Sequence, residues 1–223
     1  PLSNAQLALI EPTTGKIIGV PFQPTIEANE VPKWLNPVLL SDKQNIVIAD
    51  QRKNIYKLTV GKQLRPIVQQ PLDRSLKGRL TVLNETVVAV SSSNTGDLLD
   101  LFDASDLSRK ESVAVEGRFA WGPFTASGSS TSVVMAHSDI EGLLAVNDKG
   151  QRLWTTPIDR ETFVGSPTVI ENDCLIGTAA GEILRISLDK GEILARKKLG
   201  EPLSVSPIVL PKGLLIPTDE GSV

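Results

Sequence analysis

Three observations predict an all-β fold built from tandem units of about 40 residues. A short β-type run closed by a small residue recurs five times, an Asn or Gly turn signal follows each run, and a second apolar run follows four of these turns. The fourth residues of the five runs are Ala49, Ala89, Ala136, Gly177 and Pro217, so the steps between them are 40, 47, 41 and 40 residues. This regular spacing indicates one structural unit per repeat.

Each unit contains the elements of a four-stranded antiparallel sheet. The turn signals Asn54, Gly96, Gly142, Gly181 and Gly221 tolerate the positive φ that tight hairpins require. A further strand precedes the first run of most units and is often opened by proline, as in Asn36-Pro37, Gly122-Pro123, Ser166-Pro167 and Ser206-Pro207. Proline fits the first residue of a strand, where a missing N–H does no harm.

Four short strands in about 40 residues match one blade of a β-propeller. The sequence therefore predicts a single propeller domain over residues 1–223, with blades at 33–75, 76–118, 119–161, 162–201 and at 202–223 combined with 1–31. The last blade would join two end segments, a strand pair ending at the turn Glu220-Gly221-Ser222 and a hairpin from Leu7 to Ile18. Such closure would remove exposed sheet edges. The alternative is a piece of a longer propeller of six to eight blades.

Two segments fit the repeat less directly. Leu98, Leu101 and Phe102 have helical spacing, so residues 98–107 are compatible with one helix, but the repeat register predicts a third strand there. The Pro-rich stretch from Val20 to Pro32 is longer than the other connections and is predicted to be a surface loop.

Composition narrows the function classes. Hydrophobic residues make up 40% of the chain, and 23 basic and 26 acidic residues give a net charge of −3 without a basic block. Nucleic-acid binding is therefore not expected, because no patch would neutralise a phosphate backbone. No apolar run reaches the roughly 18 residues of a spanning helix. The single cysteine, Cys174, excludes an intrachain disulfide and a Cys-rich metal site.

The turn segments resemble a known repeat. The stretch Leu7-Ala8-Leu9-Ile10-Glu11-Pro12-Thr13-Thr14-Gly15-Lys16 is similar to the quinoprotein (pyrroloquinoline-quinone-like) repeat, in which an apolar strand meets an acidic-x-x-Thr-Gly-Lys turn. Gly142 to Trp154 and Gly181 to Leu194 look like the same repeat, with Trp154 at its characteristic tryptophan position. The unit around Asp103-Ala104-Ser105 departs from the pattern.

The resemblance implies two different functions. Dehydrogenases of the family bind the quinone and calcium and use a disulfide between adjacent cysteines, which the lone Cys174 cannot form. There is also no Cys-x-x-Cys-His haem motif and no acidic cluster that matches calcium ligands. The chain looks like the non-catalytic members, which bind partners without a cofactor. The resemblance favours a periplasmic or cell-surface location and a protein or peptide partner.

Five residues are candidates for a binding face: Trp34, Arg79, Trp121, Ser166 and Ser206. They fall at similar repeat positions, at the entry to the innermost strand, and equivalent positions of a propeller lie on one face. Aromatic and arginine side chains are common in protein-binding hot spots. The alternative for both tryptophans is packing over the ends of their own blades. We therefore expect a non-enzymatic binding or scaffolding domain, or alternatively a quinone- or small-ligand-binding domain or enzyme with a site in the central channel.

Other reactive residues are interpreted structurally. His137 is the only histidine and ends a second strand, where no nucleophile motif accompanies it, so we expect a structural role and no catalytic residue. Cys174 occupies an apolar repeat position and is expected to be a small buried hydrophobe. Trp154 is expected to pack between blades.

Overall fold

The computed structural model describes residues 5–24, 32–51, 54–158 and 161–218. These residues form strands, turns and loops, and no helix. The chain divides into two compact units, the first comprising residues 1–94 and 98–112 and the second comprising 95–97 and 113–223.

The first unit contains a two-stranded sheet, a four-stranded sheet and most of a second four-stranded sheet. The remaining residues of that last sheet are assigned to the second unit. The strands are β1 (Leu7–Ile10), β2 (Ile17–Phe22), β3 (Val38–Leu39), β4 (Asn45–Ala49), β5 (Asn54–Val60), β6 (Leu64–Pro71), β7 (Leu76–Leu83), β8 (Thr86–Ser92), β9 (Gly96–Asp103) and β10 (Arg109–Glu116). The sheets have the orders β1-β2, β3-β4-β5-β6 and β7-β8-β9-β10. The boundary between the units passes through β9 and β10.

The second unit repeats this arrangement. Its strands are β11 (Phe119–Ser127), β12 (Ser132–Ser138), β13 (Gly142–Val146), β14 (Arg152–Thr156), β15 (Phe163–Ile170), β16 (Asp173–Thr178), β17 (Glu182–Ser187), β18 (Ile193–Lys198), β19 (Ile208–Leu210) and β20 (Gly213–Leu215). They form two four-stranded sheets, β11-β12-β13-β14 and β15-β16-β17-β18, and the two-stranded sheet β19-β20. Neighbouring strands pair antiparallel throughout these three sheets.

The prediction of tandem four-stranded antiparallel sheets is confirmed. Residues 98–103 belong to strand β9, so the repeat register was the better guide there than the helical spacing. The pairing of the two end segments into one further blade stays a prediction. Its turn Glu220-Gly221-Ser222 and most of the loop Val20–Pro32 lie outside the described residues.

The second strand of each four-stranded sheet is buried on both faces, which explains its uninterrupted apolar sequence. In β4, Val47 and Ala49 pack in one cluster of buried side chains, and Ile48 packs in another. In β16, Cys174 and Ile176 face one core and Leu175 faces a different one. Successive strand residues point to opposite faces, so both sides of each sheet must be covered.

One turn geometry recurs in three hairpins, between β1 and β2, between β9 and β10, and between β17 and β18. It spans Glu11–Lys16, Asp103–Ser108 and Ser187–Glu192. In each turn the first N–H donates to the sixth carbonyl and the fifth N–H donates back to the first carbonyl, at 2.8–3.0 Å. The fifth residue is left-handed in all three, at Gly15 (φ 68°), Leu107 (φ 60°) and Gly191 (φ 71°). The unit around Asp103 thus departs from the repeat pattern in sequence, because Leu107 stands where the other two turns have glycine. The hydrogen bonds of the turn are the same.

Trp154 shows how neighbouring sheets of the second unit pack. It is 8% exposed, and its indole Nε1 donates to the Leu188 carbonyl at 2.8 Å. A Cβ at Gly191 would lie 2.4 Å from Trp154 Cε3, so the ring fits closely against this turn because residue 191 is glycine. The prediction that Trp154 packs between blades is confirmed.

Candidate binding surface

Three of the predicted binding residues lie at an interruption of the first strand of a sheet, and the other two precede a first strand. The pairing register of the first strand shifts between Lys77 and Thr81, between Trp121 and Phe124, and between Val164 and Thr168. Arg79, Trp121 and Ser166 fall at these irregularities. Trp34 forms an isolated bridge to Asp50 ahead of β3, and Ser206 precedes β19. Each of the five residues therefore lies on, or shortly before, the first strand of a sheet.

Trp34 and Arg79 belong to the first unit. Trp34 is half-buried, donates its indole N–H to the Ala5 carbonyl at 2.8 Å and meets Tyr56 edge-on, with ring centroids 5.7 Å apart. Arg79 is exposed to solvent, yet desolvation by surrounding protein atoms lowers the pKa of its guanidinium from its ordinary value. The side chain remains a cation at neutral pH, because the ordinary pKa of arginine lies far above 7.

Trp121 is a packing residue of the second unit. It is 7% exposed, and its ring contacts Phe124 and Phe163 at centroid distances of 4.6 and 5.4 Å. Its indole N–H donates to the Gly165 carbonyl at 2.7 Å. The predicted role on an exposed face therefore needs correction, because burial leaves the ring little surface for a partner. Trp121 instead holds the bulge that carries Ser166.

The structure brings Ser166 and Ser206 together. They line a shallow open groove of about 410 Å³ between the bulge of β15 and the segment leading into β19. The lining residues are Gly165, Ser166, Thr168, Val205, Ser206, Pro207, Ile208 and Val209. Two residues 40 positions apart in sequence thus contribute to one surface of the second unit.

The segment around Ser206 lies very close to the backbone of Gly165, and this contact shapes the groove. A Cβ at Gly165 would lie 2.3 Å from Ser206 Oγ and 2.6 Å from the Ser206 nitrogen. The residue also has a φ of 61°, which side chains other than glycine adopt with strain. Glycine is therefore required for the two segments to lie against each other.

The hydroxyl groups of Ser206 and Thr168 are held in place by hydrogen bonds that they donate to backbone carbonyls. Ser206 Oγ donates to the carbonyl of Ser166, with the Val164 carbonyl at 3.3 Å. Thr168 Oγ1 donates to the carbonyl of Pro207. These bonds join β15 to the segment before β19, so the hydroxyls stabilise the shape of the groove and also line it.

Sequence reasoning missed the apolar part of the groove. Val205, Ile208 and Val209 are 44%, 50% and 46% exposed. The pairs Ser166-Pro167 and Ser206-Pro207 were recognisable in the sequence, although the first lies within β15 and does not open it. The apolar residues beside Ser206 were the available signal. Their exposure was not readable, because the same residue types in the other sheets are buried.

The remaining reactive residues, His137 and Cys174, are buried. His137 is 2% exposed, its Nε2 faces the Ile158 carbonyl at 3.3 Å, and its ring meets Phe163 edge-on at 4.8 Å. Cys174 is fully buried beside Met135, and desolvation raises the pKa of its thiol to about 12, so it is a thiol at neutral pH. Within the described ranges, no three His, Cys, Asp or Glu side chains are grouped to hold a metal ion. The same part of the chain has no helix of the length and hydropathy that crossing a membrane requires.

These sheets define the class of the protein: its fold is that of a β-propeller. BamB from Moraxella catarrhalis, itself a propeller of pyrroloquinoline-quinone-like repeats, matches 98% of this chain with a TM-score of 0.67 at 17% sequence identity. The computationally designed protein Ika8 matches 99% of the chain with a TM-score of 0.67 at 10% identity.

Likeness at these identities shows the fold. The chain spans 66% of the length of BamB and 64% of that of Ika8, which is less than two thirds in both cases. No family model matches the sequence, and no curated protein matches it. The resemblance to the quinoprotein family in particular stays a prediction.

Proposed function

We propose that this chain is a non-enzymatic β-propeller domain that binds a protein or peptide partner at the groove between Ser166 and Ser206. The observation that carries the proposal is the groove itself. It joins two residues expected from the repeat register and exposes three aliphatic side chains, Val205, Ile208 and Val209, beside them. Exposed aliphatic side chains grouped beside polar groups are typical of interaction surfaces.

The fold agrees with this role. A BamB-like propeller suggests a protein-interaction scaffold. Propellers host many functions, so the choice among them has to come from the chemistry of the groove. The extracytoplasmic location implied by the family resemblance is part of the same proposal.

The chemistry of the groove favours binding over catalysis. Its described lining residues carry no ionisable side chain. General acid–base catalysis and nucleophile activation both need a group that exchanges protons near neutral pH. The hydroxyls of Ser206 and Thr168 donate to backbone carbonyls rather than to a base. Neither serine nor threonine is activated as a nucleophile by such a bond.

A peptide selection with matched variants tests the proposal. Peptides selected from a displayed random library on the immobilised chain would be measured by calorimetry against wild type, Val209→Arg and Leu153→Arg. Val209 lies in the groove and is 46% exposed, whereas Leu153 lies on β14 outside it and is 45% exposed. We expect Val209→Arg to weaken binding at least about tenfold, since an arginine fills and charges the groove, and Leu153→Arg to leave it unchanged.

Two outcomes would contradict the proposal. Equal affinities of both variants would move the binding site away from the groove. A clear rise in melting temperature on titration with the quinone and calcium would favour the cofactor-binding alternative, because a ligand that binds only the folded state must raise it. Melting curves of the two arginine variants without ligand control for loss of folding.

A further inference from the structure

We infer that the groove recognises an uncharged aliphatic segment that donates backbone N–H groups, in preference to an anionic ligand. The inference rests on the proposed function and specifies the partner chemistry. The inference depends on which hydrogen-bond donors and acceptors of the groove remain free for a ligand once the bonds within the protein are formed.

The Ser206 hydroxyl has an acceptor to offer but no donor. A serine hydroxyl has one hydrogen and two lone pairs. The hydrogen of Ser206 points to the carbonyls of Ser166 and Val164. A ligand that meets Ser206 Oγ therefore finds lone pairs and must supply the hydrogen itself.

Thr168 has the same property. Its hydroxyl donates to the Pro207 carbonyl, which leaves lone pairs for a ligand. Donation by Thr168 to an incoming ligand would break its bond to Pro207, which joins β15 to the β19 segment. A ligand carboxylate or phosphate would have to break this bond, whereas an amide N–H would not.

Two positions next to the groove serines lack a backbone donor. Pro167 follows Ser166 in the bulge, and Pro207 lines the groove next to Ser206, and neither residue has an N–H. Ser166 is exposed and its hydroxyl can rotate to donate or accept. The side chains that line the groove thus supply one rotatable donor and no positive charge, whereas anion sites combine several N–H donors or positive charges.

The aliphatic side chains supply the rest of the recognition. Val205, Ile208 and Val209 are each about half exposed and form the apolar part of the lining. Covering them removes apolar surface from water, which favours an aliphatic ligand side chain. An extended peptide presents both requirements together, N–H groups along its backbone and side chains at alternating positions.

Three synthetic peptides separate these requirements. The parent probe is acetyl-Gly-Val-Leu-Val-Gly-amide. The second probe carries a methyl group on the leucine nitrogen, and the third has glutamate in place of leucine. Affinities would be measured by ¹H–¹⁵N chemical-shift titration of wild type, Thr168→Val and the control Thr59→Val. Thr59 donates its hydroxyl to Asn45 within another sheet, at 2.7 Å, so its variant loses a comparable bond away from the groove.

We expect the parent peptide to bind wild type at least about fivefold more tightly than the N-methylated or the glutamate peptide, as loss of one hydrogen bond predicts. Thr168→Val should reduce the difference between the parent and N-methylated peptides, and Thr59→Val should preserve it. Equal affinities of these two peptides for wild type, or tighter binding of the glutamate peptide, would overturn the inference. If none of the three probes binds but library-selected peptides do, the inference fails and the proposed function stands. If the selected peptides fail as well, both fail.

Discussion

The same turn occurs in both units, but its fifth residue differs. It is a glycine covered by a large side chain of a strand in Ser187–Glu192 of the second unit, and a buried leucine in Asp103–Ser108 of the first. In the second unit, Trp154 of β14 fits against Gly191 of the turn Ser187–Glu192. In the first unit, Val68 of β6 packs against a cluster that includes Leu107 of the turn Asp103–Ser108. Trp154 and Val68 both lie beside a register shift in the pairing of their strand. The large side chain comes from the strand in one unit and from the turn in the other.

The same turn, with the same two hydrogen bonds and a left-handed fifth residue, therefore accepts either a glycine or a buried leucine at that position. Leu107 is 1% exposed and adopts a left-handed conformation with a φ of 60°. That conformation costs a residue with a side chain about 1–2 kcal/mol. Full burial of a leucine contributes about 1.5–3 kcal/mol, so burial offsets the strain.

In the first unit, polar side chains also hold the turn Asp103–Ser108 and the residue that follows it. Lys57 Nζ and Gln70 Nε2 donate to the carbonyls of Ser105 and Asp106 in the turn, at 3.3 and 3.2 Å. Arg109, just after the turn, donates two hydrogen bonds to Asp73, at 2.7 and 2.5 Å. The second unit relies on the indole of Trp154 and the hydroxyl of Thr156, which donates to the Gly191 carbonyl at 2.6 Å. Perturbations of pH should therefore affect the first unit's contacts more.

The largest effect is expected from Trp154→Ala. Removing a buried indole leaves a cavity against Gly191 and an unpaired Leu188 carbonyl, and we expect a loss of about 3–5 kcal/mol in the free energy of unfolding. Urea denaturation measures this loss. Val68→Ala is the matched change in the first unit and removes far fewer atoms, so its loss should be much smaller. Equal losses would mean that the tryptophan is not the dominant contact.

The next effect is expected from Gly191→Ala. The new Cβ would lie 2.4 Å from Trp154, and the residue keeps a φ of 71°, so we expect a loss of about 2–4 kcal/mol. Gly15→Ala is the control, because Gly15 has the same place in its turn and a φ of 68°, with nothing within 4 Å of the added Cβ. It should cost only about 1 kcal/mol. Similar unfolding curves for both variants would show that the turn, and not the indole, restricts residue 191.

A smaller effect distinguishes two truncations of Leu107. Leu107→Ala loses the buried side chain and keeps the left-handed strain, whereas Leu107→Gly loses one carbon more and relieves the strain. We therefore expect the glycine variant to be more stable than the alanine variant by about 1 kcal/mol, as measured by urea denaturation. The reverse order would indicate that the conformation of Leu107 is not strained.

The smallest effect concerns the charge pair of the first unit. Hydrogen bonds from Arg109 lower the pKa of Asp73 from 3.8 to about 2. Because the pKa in the folded state is the lower one, the pair's stabilisation is present above about pH 4 and is lost as the pH falls through about 2. The Asp73 side chain is 60% exposed, so solvent screening limits the effect to about 0.5 kcal/mol.

Asp73→Asn tests this pair. Its stability deficit relative to wild type should be present in urea unfolding at about pH 5 and shrink toward pH 2 and in 1 M salt, which screens exposed charges. A deficit that is constant across these conditions would show that Asp73 acts through packing or neutral hydrogen bonds.

Part of the candidate surface was predictable and part was not. Repeat spacing predicted Ser166 and Ser206 to be equivalent positions, because each precedes a proline in the sequence; Pro207 lies just before β19, whereas Pro167 lies within β15. The same reasoning placed Trp121 on an exposed face, where the structure instead buries it against Phe163. Side-chain direction at a strand irregularity depends on how the next sheet is placed, and sequence spacing carries no information about that placement.

The amino-acid sequence by itself determined the strands, their order and the turns between them, because alternation, β-branched runs and residues that tolerate positive φ act over a few neighbouring positions. Tertiary structure alone decided which side chains meet across sheets: that Gly191 receives an indole, that Leu107 is buried in the cluster against which Val68 packs, and that Ser166, Ser206 and three exposed aliphatic residues form one groove. These contacts join residues about 40 positions apart, and their geometry is set by close packing between sheets rather than by local conformational preference.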